Sequence, residues 1–422
     1  MSIHERIVAG KFEKPITPDA FQKLFQDNRK TLDEAIAAEQ GALSYFEVLS
    51  ALAFQYFARV NVDIAVVEAG LGGARDATNV ISAAGLAAAV ITNIGKEHLV
   101  ALGGSLESIA LAKSGIIKQG RPVVLGGPLD SHIEEIICGV AASKSSKVIR
   151  AYGEGMHYRI GGVKLEDGGA FQCCDLTIDL PSLGGLSMSW KLDKKSLQLQ
   201  MLGSHQLDNA LTAICTILCI REQGWMVKED AIWAGLEQTF TLGRFQVIPK
   251  ADSVKVGCDL STLVLDGAHT ASSAKALAIT LKIAFPSETL ALVVAMASDK
   301  DHFEFCLELL SGAAPNMVVV TETMVAGGKH RMTSASVLAD CWSKAAKVKK
   351  MEVSPTRIQD DNKSKADSVL TITESQSVVS AIKKASDHLS EGNKKGVVCV
   401  TGSLHAVSEV LSFLKKDSLA ST

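Results

Sequence analysis

Short apolar runs alternate with helical stretches along most of this chain, and this alternation limits the possible folds more than any other feature. Runs typical of buried strands occupy 63–69, 86–92 and 122–126, and residues 43–60, 105–114 and 130–142 carry a helical apolar period. Strands connected by helices line up in parallel, with the helices covering the sheet. The sequence therefore predicts an α/β fold with a parallel sheet.

A second series of the same kind begins near residue 261. Between the two series, glycines and alternating residues at 153–202 predict antiparallel strands at the edge of the sheet, followed by helices at 205–221 and 228–238. The polar segment 354–368 predicts a mobile surface insertion. We expect a central domain at 1–243 and a C-terminal domain at 244–422.

The second series predicts strands at 261–269, 290–298, 317–323 and 396–403 and helices at 271–284, 302–311, 334–348, 378–389 and 404–415.

Composition narrows the class of protein. A net charge of −3 gives no basic field for nucleic acid, and no run of 18 apolar residues suggests a membrane span. The first residues resemble neither a secretory signal nor a transit peptide. Nine scattered cysteines predict reduced thiols, and the adjacent Cys173 and Cys174 lack a partner pair at zinc spacing. We expect a protein of the cytoplasm or the mitochondrial matrix.

The end of the 63–69 run carries the first candidate site. Glu68 precedes Gly70, Gly72 and Gly73 in "VVEAGLGGARDATNVI". A carboxylate there can hold a divalent metal beside bound phosphates, and glycines let the backbone approach a ligand closely. The alternative is a tight turn in which the acid serves as a cap.

Two further residues follow in the same half of the chain. His98 lies in a loop after the 86–92 run, where a metal ligand or a structural hydrogen-bonding group would both fit. Lys113 lies among apolar residues on a helix that begins near Ser105. A surface lysine would extend its amine to water, whereas a buried one needs a partner or a modification.

The remaining candidates surround the predicted domain boundary. Asn209 can bind a base edge, unless the polar start of its helix serves only for capping by Ser204. Arg244 can bind phosphate through its guanidinium group. Asp266 and His269 lie between a strand and a helix start, and helix starts attract anions.

Taken in chain order, these segments resemble the folylpolyglutamate synthase and dihydrofolate synthase family, which is Mur-ligase-like. The resemblance rests on "SYFEVLSALAF", "VVEAGLGGARDATNV", "ITNIGKEH", "LGGSLESIALAKSGIIK", "GSHQLDNAL", "LGR", "LDGAH", "SDKDH" and "TGSLHAVSEV". The segments "GARDATNV", "HLVALGGSLESIA" and "VVAMASDKDH" are most similar to the plant dihydrofolate synthetase branch. The resemblance implies a Mur-ligase-like central ATPase domain, shortened at its start, and a C-terminal Rossmann-like domain.

The resemblance also implies an activity. Members of the family are ATP-dependent amide ligases: ATP phosphorylates a carboxylate, and the amine of L-glutamate attacks the acyl phosphate. The acid would be dihydropteroate, a folate, or both, and a monomer is expected. The resemblance implies that Glu68, His98 and a carbamate on Lys113 bind magnesium, and we expect the same three residues to be catalytic. It also implies the contacts of the nucleotide. Asn209 would face adenine, Arg244 would bind phosphate, and Asp266, with His269 beside it, would bind the nucleotide.

Two departures from the family pattern stand out. The motif around Asp266 usually ends in asparagine, and this chain has Thr270, which we expect to weaken one nucleotide contact. The phosphate-binding run G-x-x-x-x-G-K-[ST] does not occur in the given sequence. From this we expect the chain alone to be poorly active or inactive. The alternatives are an impaired fragment, or a non-catalytic homologue that binds nucleotide or folate. A Rossmann-type oxidoreductase would need G-x-G-x-x-G spacing, which "GLGGARD" does not supply.

Overall fold

The structure is a computed structural model, and it falls into two compact units. Within the described residues, unit 1 comprises the chain up to Glu154 together with Leu211–Met226. Unit 2 comprises Gly155–Leu180, Trp190–Ala210 and the chain from Val227 onward. The structure describes residues 6–10, 14–96, 99, 101–167, 169–180, 189–325, 328–354, 369–391 and 396–420.

Unit 1 is built on a three-stranded parallel sheet with the order β3-β4-β5. The middle strand, β4, is buried throughout, and Ala110 and Ile137 from two helices pack against the sheet. The strands are β1 (Val8–Ala9), β2 (Lys14–Pro15), β3 (Ala89–Ile91), β4 (Val123–Leu125) and β5 (Val148–Arg150), and the helices are α1 (Pro18–Asp27), α2 (Arg29–Ala38), α3 (Tyr45–Arg59), α4 (Leu106–Ser114) and α5 (Ser131–Ser143).

The strand predicted at 63–69 is wrong. These residues form no strand, and Ile64 and Val66 are 43% and 95% exposed. A β-strand is stabilised by hydrogen bonds to a neighbouring strand. In the described part of the chain no strand pairs with this segment, so its apolar sequence alone does not produce strand geometry.

Unit 2 contains a seven-stranded sheet with the order β13-β14-β12-β11-β15-β10-β9, parallel except for the β9–β10 pair. Its central strands are apolar on both faces, as parallel strands covered by helices must be. Along β11, Leu292 joins one hydrophobic cluster and Val293 the other. The sheet strands are β9 (Gln246–Val247), β10 (Thr262–Leu265), β11 (Thr289–Val294), β12 (Met317–Val320), β13 (Glu352–Ser354), β14 (Val369–Glu374) and β15 (Gly396–Thr401).

The antiparallel strands form a sheet of their own, so their predicted place at the edge of a parallel sheet is wrong. They are β6 (Met156–Glu166), β7 (Gly169–Leu180) and β8 (Trp190–Leu199). Alternate residues of β7 are buried, which lets one face of this sheet pack inward. The helices that follow are α6 (Ser204–Glu222), which spans both units, and α7 (Glu229–Gln238), α8 (Lys250–Lys255), α9 (Ala271–Ala284), α10 (His302–Gly312), α11 (Ala335–Val348), α12 (Val378–Ser390) and α13 (Leu404–Ala420).

The sheet of unit 2 includes a strand that the sequence did not lead us to expect. Strand β14 begins at Val369 and pairs with both β12 and β13, although we predicted no strand there. Of the predicted insertion at 354–368, only Ser354 is among the described residues. Among those residues, no helix is long and apolar enough to cross a membrane.

We expect Leu292→Ala to lower the free energy of unfolding by about 2–5 kcal/mol, because it leaves a cavity at a fully buried position. The matched control is Leu260→Ala, since Leu260 is 72% exposed and its loss should change stability by no more than about 0.5 kcal/mol. Urea unfolding followed by circular dichroism measures both. Equal shifts in the two variants would contradict the burial of β11.

Candidate functional site

Helix α4 presents Lys113 in its last turn. The helix begins with a capping box, in which Ser105 Oγ accepts a hydrogen bond from Ser108 N at 3.2 Å and Ser108 Oγ accepts one from Ser105 N at 3.1 Å. A Cβ on Gly103 would lie 2.9 Å from Ser108 Cβ, so the approach to the helix requires glycine. Lys113 is half-buried, and its cation lies near the negative end of the helix dipole.

Asp76 organises the loop that follows Glu68. Its Oδ2 accepts a hydrogen bond from Leu71 N at 2.8 Å, and its Oδ1 accepts from Thr78 N at 3.0 Å and Thr78 Oγ1 at 2.6 Å. Burial alone would raise the pKa of Asp76, but hydrogen bonds from Thr78 and Leu71 outweigh it and hold the pKa below its ordinary value. The carboxylate therefore fixes both sides of the loop.

The same loop lies directly on the last turn of α4. Ala74 N donates to Ala112 O at 2.8 Å. A Cβ on Gly73 would lie 3.0 Å from Ala112 O, and one on Gly115 would lie 2.3 Å from Ala74 Cβ. This contact needs glycine on both sides, which explains two of the glycines in "LGGA" and "KSG".

Asn79 adds a side-chain bridge between the loop and the helix end. Its Nδ2 donates to Ala74 O at 3.2 Å and to Gly115 O at 3.1 Å, and its own carbonyl accepts from Lys118 Nζ at 3.2 Å. We did not predict a role for Lys118, because lysines at helix ends are common on any surface. The donors and acceptors of "DATN" are thus used largely inside the loop.

A cleft of about 730 Å³ opens beside this loop. Its size lies within the range of about 300–1,000 Å³ found for ligand sites. The walls combine apolar side chains, among them Phe46 and Leu102, with the charged side chains of Glu47, Arg75 and Asp76. Such a lining suits a ligand with a flat apolar body and a charged end.

The three predicted metal ligands have different outcomes. Glu68 is exposed and lies just before the loop that Asp76 organises. Lys113 lies in the turn that the loop contacts, as described above. His98 lies outside the described residues. Within those residues, no group of three or more His, Cys, Asp and Glu side chains is arranged to hold a metal ion.

In unit 2, Asp266 holds the end of β10 against the preceding turn. Its Oδ2 accepts from Phe245 N at 2.8 Å and its Oδ1 from Ala268 N at 2.9 Å. Burial raises the pKa of Asp266, and these two hydrogen bonds and the nearby Arg244 oppose that rise. Both carboxylate oxygens thus already receive a backbone amide.

Arg244 and Gly267 lie side by side. Gly267 N donates to Gly243 O at 2.8 Å, and a Cβ on Gly267 would lie 3.6 Å from Arg244 Nη1. The same Cβ would lie 2.2 Å from Leu404 Cδ2, so any larger residue would require the Leu404 side chain to move. Bare backbone therefore lies next to the guanidinium, an arrangement in which phosphate oxygens can approach both.

The start of helix α9 uses the next residues. The ring Nδ1 of His269 lies 2.8 Å from Gly267 O, and a neutral ring would donate its proton there. Thr270 forms a capping box with Ser273, whose backbone N–H it accepts at 3.3 Å. The hydroxyl at the position where the family pattern has asparagine thus caps the helix.

Helix α6 carries Asn209 at the surface. Asn209 Nδ2 donates to Gln206 Oε1 at 3.0 Å, and Gln206 Nε2 lies 3.3 Å from His205 Nε2. Desolvation, and then the positive charge of Arg244, lower the pKa of His205.

Two family models match the chain in the order that this architecture requires. A Mur ligase middle domain matches residues 29–217, and a dihydrofolate synthetase C-terminal domain matches residues 255–413. A dihydrofolate synthase/folylpolyglutamate synthase of Bacillus subtilis is 27% identical over 72% of this chain and 64% of its own length. The Mycobacterium tuberculosis protein of the same name is 31% identical over 68% of this chain and 56% of its own length.

A solved structure matches as well. Folylpolyglutamate synthase of Mycobacterium tuberculosis, complexed with ADP and AMPPCP, has a TM-score of 0.71 and 25% identity, covering 95% of this chain and 80% of that one. The chain belongs to the folylpolyglutamate synthase and dihydrofolate synthase family. The resemblance and the Mur-ligase-like α/β fold inferred from the sequence are thereby confirmed.

Membership in this family leaves several predictions as they were. The chain spans 64% and 56% of the two relatives named above. The affinity to the plant branch, the division at residues 243 and 244, and the ligand roles of Glu68, His98, Lys113, Asn209, Arg244, Asp266 and His269 stay predictions. The structure adds Asp76, Asn79 and Lys118 as residues that shape the loop.

We expect Asp76→Ala to destabilise unit 1 by about 1–3 kcal/mol at pH 7, because the amide of Leu71 loses its acceptor. The depressed pKa of Asp76 means that its stabilisation is complete above the unfolded value of 3.8 and is lost as the pH falls through the lower folded value. Thermal unfolding from pH 7 to pH 2.5 should therefore show the two proteins converging in acid. The control is Asp63→Ala at an exposed position. A constant difference at all pH values would contradict this role.

We expect Gly73→Ala to push the loop away from helix α4, because the added Cβ would lie 2.8 Å from Ile116 Cγ2 and 3.0 Å from Ala112 O. Gly85→Ala is the matched control, since its nearest neighbour would be at an ordinary 3.6 Å. Hydrogen exchange of the Ala74 amide measures the contact directly and should speed up only in Gly73→Ala. Unchanged protection would mean that the loop tolerates the extra carbon.

Proposed function

We propose that this protein is an ATP-dependent amide ligase that joins L-glutamate to dihydropteroate, to folate, or to both. The acid would be activated by phosphoryl transfer from ATP, and the glutamate amine would then displace phosphate. The named activities of the relatives support the proposal, as does the binding of ADP and AMPPCP by the similar Mycobacterium tuberculosis enzyme. The relatives give no support to the alternative of an impaired or non-catalytic homologue.

The contact between the loop and helix α4 is the observation that carries this proposal. The hydrogen bond from Ala74 to Ala112 ties the loop that follows Glu68 to the turn that bears Lys113. A charged substrate end in the adjoining cleft would therefore meet Arg75 and the backbone of Gly72 and Gly73. Side chains held by such contacts are positioned before the substrate arrives, which favours catalysis.

The chemistry of the donors suits magnesium. Mg²⁺ is usually held by one or two carboxylates, waters and substrate phosphates rather than by a full protein cage. Glu68 offers one carboxylate, and a carbamate on Lys113 would offer a second. When bound, the ion would neutralise charge on the phosphates during transfer.

The proposed nucleotide residues lie in unit 2. The Arg244 guanidinium and the bare backbone of Gly267 would bind phosphate oxygens, and Asn209 would hydrogen-bond the base. The carboxylate of Asp266 accepts hydrogen bonds from the amides of Phe245 and Ala268, and it would thereby hold the Arg244 turn in place. The same carboxylate would accept further contacts from the nucleotide. We further propose a monomer that works in the cytoplasm or the mitochondrial matrix.

The test is a coupled assay of ADP release with ATP, Mg²⁺, L-glutamate and either dihydropteroate or tetrahydrofolate. We expect glutamate-dependent turnover with at least one acid, and a loss of about 100-fold or more in Lys113→Ala and Glu68→Gln, as for residues that stabilise phosphoryl transfer. Lys144→Ala, an exposed lysine at the end of α5, should keep full activity. Nucleotide binding without turnover on either acid would refute the proposal and favour a binding protein.

A further inference from the structure

A buried glutamine connects the antiparallel sheet to the start of helix α6. Gln172 lies on β7 and is only 1% exposed. Its Nε2 donates to Gly203 O at 3.2 Å, and its Oε1 accepts from Gly203 N at 3.0 Å. One side chain therefore pairs with both backbone groups of the residue that precedes the helix, and it supplies the acceptor for the buried Gly203 N–H.

Gly203 occupies a conformation that only glycine takes readily. Its φ is +113°, and a Cβ there would lie 2.5 Å from His205 Cε1 and 2.8 Å from Thr280 Oγ1. The backbone is thus enclosed by a ring on one side and by helix α9 on the other. Gln172 adds the hydrogen bonds that fix the orientation of this peptide unit.

A chain of hydrogen bonds continues from this turn to Asn209. The same Gly203 carbonyl accepts from Gln206 N at 3.0 Å, and Gln206 Oε1 accepts from Asn209 Nδ2 at 3.0 Å. Gln172 is the buried end of this series of hydrogen bonds, and the exposed end is the side-chain amide of Asn209, which would contact a nucleotide base. A shift of the Gly203 peptide would therefore move or release the side chain of Asn209.

A second contact holds the same helix from the same sheet. Tyr158 on β6 donates its hydroxyl proton to Asp208 Oδ1 at 3.3 Å, next to Asn209 in the chain. The first two turns of α6 are thus attached to the sheet at Gly203 and at Asp208.

We propose that Gln172 is a positioning residue for the nucleotide, and that the antiparallel sheet acts through it to orient the first turns of helix α6. Gln172 is not itself a ligand, because it is buried beneath the turn. The proposal rests on the proposed function only in taking Asn209 as a contact of the nucleotide base.

The experiment compares three substitutions in the full chain. Gln172→Met keeps the volume and removes both hydrogen bonds, whereas Gln172→Glu keeps the acceptor and removes the donor. Cys174→Ala is the control, because Cys174 is buried on the same face of β7 and contacts Leu197 O rather than Gly203. It corrects for a general loss of stability in the sheet.

Two measurements distinguish an effect on the start of helix α6 from an effect on nucleotide binding. Hydrogen exchange of residues 203–210 should speed up in Gln172→Met and in Gln172→Glu, where a buried carboxylate oxygen would face Gly203 O, and should not change in Cys174→Ala. The Kd for ADP by calorimetry and the KM for ATP should rise about tenfold in Gln172→Met, which corresponds to the loss of about 1.4 kcal/mol of binding. The KM for glutamate should stay within about twofold of the control, a difference of about 0.4 kcal/mol.

Each result decides a different part of the proposal. Unchanged exchange at 203–210 in Gln172→Met would overturn the positioning role. Faster exchange with an unchanged Kd for ADP would overturn the link to the nucleotide. A wild-type chain that binds ADP but does not ligate glutamate would refute the proposed function, and the exchange and ADP measurements would still test Gln172. If Gln172→Met fails to fold, Tyr158→Phe removes the sheet's other contact with the same turns, and unchanged exchange at 203–210 in that variant would overturn the orienting role of the sheet.

Discussion

The approach of one backbone segment to another, without side chains between them, is the constraint on which the candidate site of unit 1 depends. Ala74 and Ala112 can form a hydrogen bond only because Gly73 and Gly115 leave no carbon in the way. Once the two segments touch, Asn79 can reach both sides and Lys118 can reach Asn79. The proposed reacting groups are thus attached to a contact made entirely of main chain.

Both units use an aspartate in the same way. Asp76 and Asp266 each accept hydrogen bonds from backbone amides, and each holds its own loop in one conformation. The pKa shifts have opposite directions, because burial dominates at Asp266 and hydrogen bonds dominate at Asp76. A carboxylate near a ligand site is therefore not always a ligand, and here its first partners are amides of its own chain.

The sequence predicted elements well where the local signals were sufficient. Helices α3 and α4 begin at capping boxes, and both lie where we expected them. The prediction of a strand at 63–69 was wrong because an apolar run forms a strand only when another strand supplies its hydrogen bonds. The apolar sequence alone does not show whether such a partner is present. Strand β14 was missed for the opposite reason, since its six residues follow a long polar segment and gain their stability from β12 and β13.

The site itself was only partly predictable. The glycines and polar residues of "GLGGARDATN" predicted a loop at a ligand site. The hydrogen-bond partners of Asp76 were not predictable, because they depend on the conformation of the loop. Gln172 had no sequence signal at all, because a single polar residue in an alternating strand usually faces solvent. Its role became visible only when Gly203, 31 positions away, was placed beside it.

The strand order of the large sheet has a consequence for how this protein behaves in concentrated solution. Its inner strands β11 and β15 have six residues each, whereas the outermost strands, β13 and β9, have three and two. Short outer strands expose few unpaired amides and carbonyls to which another chain could add a strand. Among the described residues, the short outer strands therefore protect the apolar inner strands of this sheet from edge-to-edge aggregation.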